Sequence, residues 1–145
     1  MQALLQRVTQ ASVVVDGACV AAIGTGLLIF VGVFPADSPE TAQQLADRAL
    51  DLRIFADAAK PMNRSVVDVG GEVLVVSQFT LAANTRKGRR PSFDSAAPPD
   101  QARTLYEKFV ERIRLRLGTV STGRFGADMQ VALINDGPVT FLLSN

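Results

Sequence analysis

The chain has 145 residues, a net charge of +1, 48% apolar residues and 20% charged residues, a composition typical of a folded globular protein and not of a disordered or strongly basic one. It contains no histidine and one cysteine, Cys19, which excludes a Ser-His-Asp triad, a Cys-His pair, His-ligated metal sites and an intrachain disulfide. No apolar run reaches the roughly 20 residues of a membrane helix, and a single cysteine fits a reducing cytoplasm, so we expect a cytoplasmic protein without a membrane segment. We also expect no metal and no cofactor.

Apolar patterns predict four strands in the first 34 residues. Segments 2–8 and 12–16 are rich in β-forming residues, and the second ends in an Asp-Gly pair typical of a hairpin turn. The chain then returns over 19–23, where we expect Cys19 to be a small core residue and not a nucleophile. The segment at 26–34 is apolar throughout, which predicts a strand buried on both faces.

Helical periodicity replaces this pattern twice. Ser38 suits an N-cap and Pro39 the first helical position, so a helix is predicted over about 38–56. A second helix is predicted over 99–117, where apolar residues recur at helical spacing up to Gly118.

The remaining apolar runs predict three more strands, at 72–78, 129–134 and 139–143. No repeat, low-complexity tract or linker divides the chain, so we expect a single domain over 1–145. Strands interrupted by two helices indicate an α+β fold. We expect a mainly antiparallel, barrel-like sheet with both helices packed on it.

Polar residues interrupt the apolar run at the end of the predicted strand 72–78. Ser77, Gln78 and Thr80 flank Phe79 in the segment SQFTL. A sharp exit from a buried strand leaves successive backbone N–H groups free to face a ligand. Ordinary turn residues at a strand end explain the same composition, so the segment alone leaves both interpretations open.

Two loops also invite a functional interpretation. Gly137-Pro138, within NDGPVT, combines a residue that permits close backbone approach with one that makes the loop rigid. The segment 85–91 carries four cations in five residues and suits contact with phosphates. A simple turn and a simple solvated loop are the alternative interpretations.

Taken together, the segments resemble the D-aminoacyl-tRNA deacylase family over essentially the whole chain. The pair SQFTL and NDGPVT at this separation is specific to the family. The further matching motifs are RVTQASVVVDG at 7–17, IGTGLLIFVGV at 23–33, VLVVSQFTLAA at 73–83, RRPSF at 89–93 and GRFGADMQVALINDGPVTF at 123–141.

The resemblance implies an enzyme that hydrolyses the ester bond between a D-amino acid and its tRNA. The ester is already activated, so an oxyanion site suffices, and we assign it to the backbone N–H groups of Phe79 and Thr80. Ser77 and Gln78 complete the catalytic segment. Water is expected to attack with help from the ribose 2′-hydroxyl of the substrate. Thr80 as a covalent nucleophile is the competing hypothesis, but the sequence supplies no base to activate its hydroxyl.

The resemblance also implies a homodimer in which a cis Gly137-Pro138 bond enters the partner subunit's active site. Carbonyls of this loop would hold the substrate amino group, so that an L side chain collides with the loop. Glycine, which has no side chain, would not be fully excluded, so glycyl-tRNA mischarged on alanine tRNA is an expected second substrate. Phe125 and Met129 would contact the terminal adenosine, and Arg7 would hold the loop.

Two rival functions remain. One is a small RNA- or peptide-binding dimer without catalysis, which the two intact motifs disfavour. The other is removal of a different mischarged amino acid, such as L-alanine from threonine tRNA, by a related family with a trans Gly-Pro bond.

Overall fold

The computed structural model describes residues 1–86 and 88–145 of the chain. Within these residues there are six β-strands, two α-helices and one 3-10 turn. In chain order they are β1 (Gln2–Val15), β2 (Ala18–Ile23), β3 (Gly26–Gly32), α1 (Pro39–Asp51), β4 (Glu72–Ser77), the 3-10 turn (Phe79–Ala82), α2 (Pro99–Leu117), β5 (Ser121–Thr122) and β6 (Gln130–Ser144). The α+β class predicted from the sequence is confirmed.

The strands form one mixed sheet that curls into a nearly closed barrel. The sheet order is β2-β1-β3-β4-β5, and β6 lies against β1 on a separate branch. Strand β1 pairs antiparallel with β2, β3 and β6, as expected. The pairs β3–β4 and β4–β5 are parallel, because α1 and α2 cross over between their members.

Two pairs of predicted strands are each one continuous strand in the structure. The segments 2–8 and 12–16 belong to one strand, β1, and the segments 129–134 and 139–143 belong to one strand, β6. The β1–β6 pairing continues on both sides of the polar residues, with shifts of register near Val8, and residues 136–139 have no partner in the described β1–β6 register. A break in the apolar pattern therefore marks an irregular ladder here and not a turn.

Two apolar cores lie on opposite sides of this sheet. The first fills the space between the sheet and the two helices and includes Leu5, Leu45 and Phe109. The second fills the barrel interior and includes Val13 and Leu74. Consecutive residues of β3 and β4 enter different cores, so both strands are buried on both faces, as predicted for 26–34.

Helix α1 begins as predicted but ends earlier. Ser38 is the N-cap, and its hydroxyl accepts a hydrogen bond from the Thr41 N–H at 3.3 Å, while the Thr41 hydroxyl accepts from the Ser38 N–H at 2.8 Å. The helix stops at Asp51 because Leu52 is extended, and the predicted end near residue 56 is wrong by more than one turn. Helix α2 covers 99–117 and ends at Gly118, as predicted.

An ion-pair cluster joins the two helices. The Asp47 carboxylate accepts hydrogen bonds from Arg112 at 2.9 Å and from Arg116 at 3.2 Å. The bond from Arg112, aided by Arg116, holds the pKa of Asp47 below its usual value. The stabilisation is present above the unfolded-state pKa and is lost as the pH falls through the lowered folded-state pKa.

The Asp47→Asn variant is therefore expected to be less stable than the wild type at neutral pH, by less than about 1 kcal/mol because the pair is partly exposed. The difference should shrink to zero as the solution is acidified below the folded-state pKa of Asp47. Urea titrations of both proteins across this pH range measure it. A difference that stays constant down to the lowest pH would contradict the role of the carboxylate charge.

No helix of the described residues is both long enough and apolar enough to cross a membrane.

Candidate active site

A cavity of about 670 Å³ opens where the carboxyl ends of β3 and β4 meet the start of α2. The segment between β5 and β6 closes its far side. The predicted site residues that line it are Ser77, Gln78, Phe79, Phe125 and Met129. The carboxyl edge of parallel strands is a frequent place for ligands in α/β sheets, and the parallel pair β3–β4 creates such an edge here.

The exit from β4 leaves two backbone N–H groups without a backbone acceptor among the described residues. The Gln78 N–H still bonds to the Val31 carbonyl at 2.8 Å, and the chain then turns into the 3-10 turn. The first turn residues of a helix have N–H groups without an acceptor inside it. The Gln78 side chain gives no cap, and its amide nitrogen donates a hydrogen bond to the Thr80 hydroxyl. Among the described residues, the N–H groups of Phe79 and Thr80 therefore have no acceptor within the turn.

The 3-10 turn is held against the sheet by a close approach at Gly32. A Cβ on this residue would lie 2.8 Å from the Leu81 Cβ, which is closer than two side chains pack. Glycine at the end of β3 therefore lets the turn sit directly over the strand. The side chain of Phe79 stays 56% exposed and contacts the Phe93 ring, with the ring centroids 4.9 Å apart.

An aromatic wall closes the other side of the cavity. The Phe125 ring lies 5.7 Å from the Tyr106 ring and 4.9 Å from the Arg103 guanidinium carbon. Tyr106 is buried, donates a hydrogen bond to the Val75 carbonyl at 3.0 Å, and has its pKa raised by that burial. Met129 completes the wall, with its sulfur packed close over Gly123.

Gly137 and Pro138 lie elsewhere, on the exposed side of β6. Among the described residues that line the cavity of the same chain, neither is present. The peptide bond between them is cis. The Asn135 amide spans the segment, donating to the Arg7 carbonyl at 3.0 Å and to the Val139 carbonyl at 2.9 Å.

Arg7 holds the same segment from β1. Its Nε donates to the Asp136 carbonyl at 3.1 Å and lies 2.9 Å from an Asp136 carboxylate oxygen. A second guanidinium nitrogen donates to the Ile54 carbonyl, and the Phe55 ring lies 5.9 Å away. Arg7 thus ties the Gly137-Pro138 segment to the chain that follows α1.

The other sequence candidates take simpler positions. Arg86, Arg89 and Arg90 are exposed on a loop closed by a bridge between Asn84 and Ser92. Lys87, the fourth cation of that loop, lies outside the described residues. The expectation that Cys19 is a core residue is wrong. Cys19 is exposed, because it lies on β2 at the edge of the sheet order. Among residues 1–86 and 88–145, no cluster of potential ligands is arranged to hold a metal ion.

Three residues of the site escaped the sequence analysis. Asn135 and Phe93 stand inside motifs quoted above, but no function was assigned to either. Arg103 stands at a polar position of α2, where a solvated arginine is expected, and nothing in the sequence singles it out.

Comparison with known proteins gives a consistent result. A family model described as D-Tyr-tRNA(Tyr) deacylase matches residues 4–144. A D-aminoacyl-tRNA deacylase of Syntrophotalea carbinolica is 59% identical, with 100% of this chain and 97% of that protein covered. The enzyme of the same name from Escherichia coli O1:K1 is 56% identical, with 99% of each chain covered.

Solved structures agree on the fold. One described as c-Myc DNA Unwinding Element Binding Protein has a TM-score of 0.94 at 40% identity, covering 100% of this chain and 99% of that one. One described as a probable eukaryotic D-amino acid tRNA deacylase has a TM-score of 0.85 at 19% identity, covering 98% and 97%. The latter likeness concerns the fold alone.

Proposed function

The chain belongs to the D-Tyr-tRNA(Tyr) deacylase family and is a hydrolase of the D-aminoacyl-tRNA ester bond, and from this premise we propose how it performs and restricts that reaction. The observation that carries the proposal is the free pair of backbone N–H groups at Phe79 and Thr80 beside a cavity with an aromatic wall. We place the reacting carbonyl at these donors and the terminal adenosine at the wall.

The two N–H groups form the oxyanion site. Attack on an ester carbonyl creates an alkoxide, and a fixed donor aimed at it stabilises the transition state by about 2.7–4 kcal/mol. The bond from the Gln78 amide to the Thr80 hydroxyl and the close packing of the Leu81 side chain over the Gly32 backbone keep the turn in place. Water attacks with assistance from the neighbouring ribose 2′-hydroxyl, and Thr80 positions the turn without becoming a nucleophile.

Phe125 and Met129 bind the terminal adenine. An aromatic ring and a thioether offer a flat, polarisable surface to a base. The ring of Phe125 contacts both the Tyr106 ring and the Arg103 guanidinium, which fix its orientation. A fixed ring spares the binding step the entropy of ordering it.

The chain acts as a homodimer in which each Gly137-Pro138 segment enters the partner's cavity. The segment is exposed and lies outside the cavity of its own chain, so a second copy is needed to bring them together. Its strand also exposes apolar residues beside it, with Ile134 53% and Leu142 55% exposed, which suits burial against another protein surface. Arg7 and Asn135 hold the segment in the shape that docks.

This arrangement excludes L-amino acids by collision and not by recognition of the side chain. Carbonyl groups of the loop hold the substrate amino group, so a D side chain points to solvent and an L side chain meets the loop. A glycyl ester has no side chain to collide with the loop, so glycyl-tRNA mischarged on alanine tRNA is a second substrate. Because its substrates are aminoacyl-tRNAs, we assign the enzyme to the cytoplasm.

Binding of nucleic acid without catalysis is the second candidate function. The structure at 40% identity carries the name of a DNA-binding protein, and this chain exposes Arg86, Arg89 and Arg90 on one loop. Positive loops bind phosphates regardless of sequence. This activity would not use the free N–H groups of Phe79 and Thr80.

Hydrolysis of D-tyrosyl-tRNA and L-tyrosyl-tRNA by the purified protein, in the presence of a chelator, tests the proposal. We expect fast loss of the D ester alone, and a slower reaction in the Pro138→Ala variant. Hydrolysis of L-alanyl-tRNA(Thr) in preference to both would favour the related specificity. A folded dimer that binds tRNA and hydrolyses none of these esters would favour the binding function.

A further inference from the structure

Arg103 lies beside the cavity, against the Phe125 ring that lines it. It is exposed, follows the cavity-lining Ala102 on α2, and places its guanidinium carbon 4.9 Å from the centre of the Phe125 ring. A guanidinium that lies over a ring keeps the N–H groups of its edge free to bind a second partner. The position therefore combines an aromatic contact with an outward-facing positive charge.

This charge has no acidic partner among residues 1–86 and 88–145. The salt bridges of α2 are made by other residues, namely Lys108, Arg112 and Arg116. The acidic residues that line the cavity, Asp94 and Asp128, form no salt bridge with Arg103 within the same described residues. A cation that is paired with neither of these carboxylates remains available to a ligand anion.

We propose that Arg103 binds the phosphodiester that joins the terminal adenosine to the nucleotide before it. The proposal rests on the placement of the adenine at Phe125 and Met129 given above. A nucleotide bound at this wall carries its phosphate just outside the cavity, where Arg103 stands. Arginine binds phosphate oxygens through two parallel N–H donors, which fixes the orientation of the nucleotide as well as its affinity. Arg103 thus selects esters carried on a polynucleotide over esters of free adenosine.

Two substrates separate a phosphate contact from a packing role. We compare D-tyrosyl-tRNA with 3′-O-(D-tyrosyl)adenosine, which has no phosphate, for the wild type and Arg103→Gln. We expect the ratio of kcat/KM for the tRNA to that for the adenosine ester to fall about 10-fold, mainly through KM, as for loss of a partly exposed charge-assisted bond. The slope of log(kcat/KM) against log(salt) for the tRNA should become shallower by about 0.7, the value for one single-stranded phosphate.

Conservative and matched variants sharpen the result. Arg103→Lys keeps the charge and should restore most of the salt slope. Arg114→Gln removes the same charge from the same helix, about 16 Å along its axis, and should leave the ratio unchanged. Equal losses on both substrates in Arg103→Gln would overturn the proposal, because they would mean that Arg103 acts only through the Phe125 ring. An equal effect of Arg114→Gln would also overturn the proposal, because it would mean that the tRNA responds to the overall positive charge of α2 and not to a contact with Arg103.

Binding of the trinucleotide CpCpA, measured without any ester, distinguishes this proposal from the proposed function. We expect Arg103→Gln to weaken CpCpA about 10-fold relative to adenosine. Arg103-dependent binding of CpCpA by a protein that hydrolyses no ester would support the phosphate site and contradict the mechanism. Binding of CpCpA that does not depend on Arg103 would overturn the phosphate site, whatever the hydrolysis shows.

Discussion

The Phe79→Pro variant is expected to have a kcat about 10²–10³-fold lower than Phe79→Ala, the range measured for loss of one oxyanion donor. Proline removes the backbone N–H of residue 79, whereas alanine removes the ring and keeps the N–H. Proline suits the first position of a helical turn, and Gln78 before it is already non-helical, with φ −140° and ψ 79°. Comparing the two variants therefore isolates the donor from the side chain.

Single-turnover hydrolysis of D-tyrosyl-tRNA measures the effect, with thermal unfolding as the check that both variants fold. We expect the two melting temperatures to agree within a few degrees, since residue 79 opens the 3-10 turn and its N–H has no acceptor within the turn to lose. If Phe79→Pro and Phe79→Ala react at the same rate, the N–H of Phe79 is not the oxyanion donor and the mechanism proposed above is wrong. Retained CpCpA binding in both variants excludes a loss caused by the adenosine site.

The Thr80→Ala variant tests whether the Thr80 hydroxyl is the nucleophile. Thr80→Ala removes the hydroxyl that accepts from the Gln78 amide but keeps the second backbone donor. A partial loss of rate follows from a looser turn, while complete loss with normal folding and binding would make Thr80 the nucleophile. No histidine exists in the chain to activate it, so the partial loss is the expected outcome.

The helices and most strands could be predicted from the periodicity of their apolar residues. Each helix packs one apolar face against a core, and the central strands lie between the two cores. The continuity of β1 and β6 could not be predicted, since their pairing resumes beyond the polar residues that break the apolar pattern. Strand direction was also incompletely predicted, because the parallel pairing of β3 with β4 depends on where α1 packs.

The candidate site, like the fold, could be predicted only in part from the sequence. The sequence singled out Ser77 to Thr80 as candidates because polar side chains are unusual at the end of a buried strand, and Gly137-Pro138 because its backbone chemistry is distinctive, but only the family resemblance gave them roles. Arg103 was missed because an arginine on a polar helix face is common. What distinguishes Arg103 is its contact with the Phe125 ring, which belongs to a segment more than twenty residues away in the sequence. Contacts of this kind depend on tertiary packing and leave no local pattern.

The Gly137→Ala variant is expected to hydrolyse D-tyrosyl-tRNA about 10²-fold more slowly, the effect of shifting a substrate-binding group by roughly 1 Å. A Cβ on Gly137 would lie 2.0 Å from the Asn135 Oδ1 and 2.8 Å from the Val139 nitrogen, so the segment must move. The Asn135 bonds to the carbonyls of Arg7 and Val139 would be displaced with it. The rest of β6 remains paired with β1, so the chain should still fold.

Rates for the D and L esters, with Thr140→Ala as the matched control on the same exposed stretch, show what the segment does. Thr140 is exposed and has been given no part in the site, so its variant should react at the wild-type rate. If the D ester reacts more slowly and the L ester is still not hydrolysed, the loop mainly binds the substrate amino group. A newly hydrolysed L ester means that collision with the loop is what excludes it. Wild-type rates for both esters in Gly137→Ala would contradict any role of the segment, because a Cβ at this position cannot be accommodated without moving it.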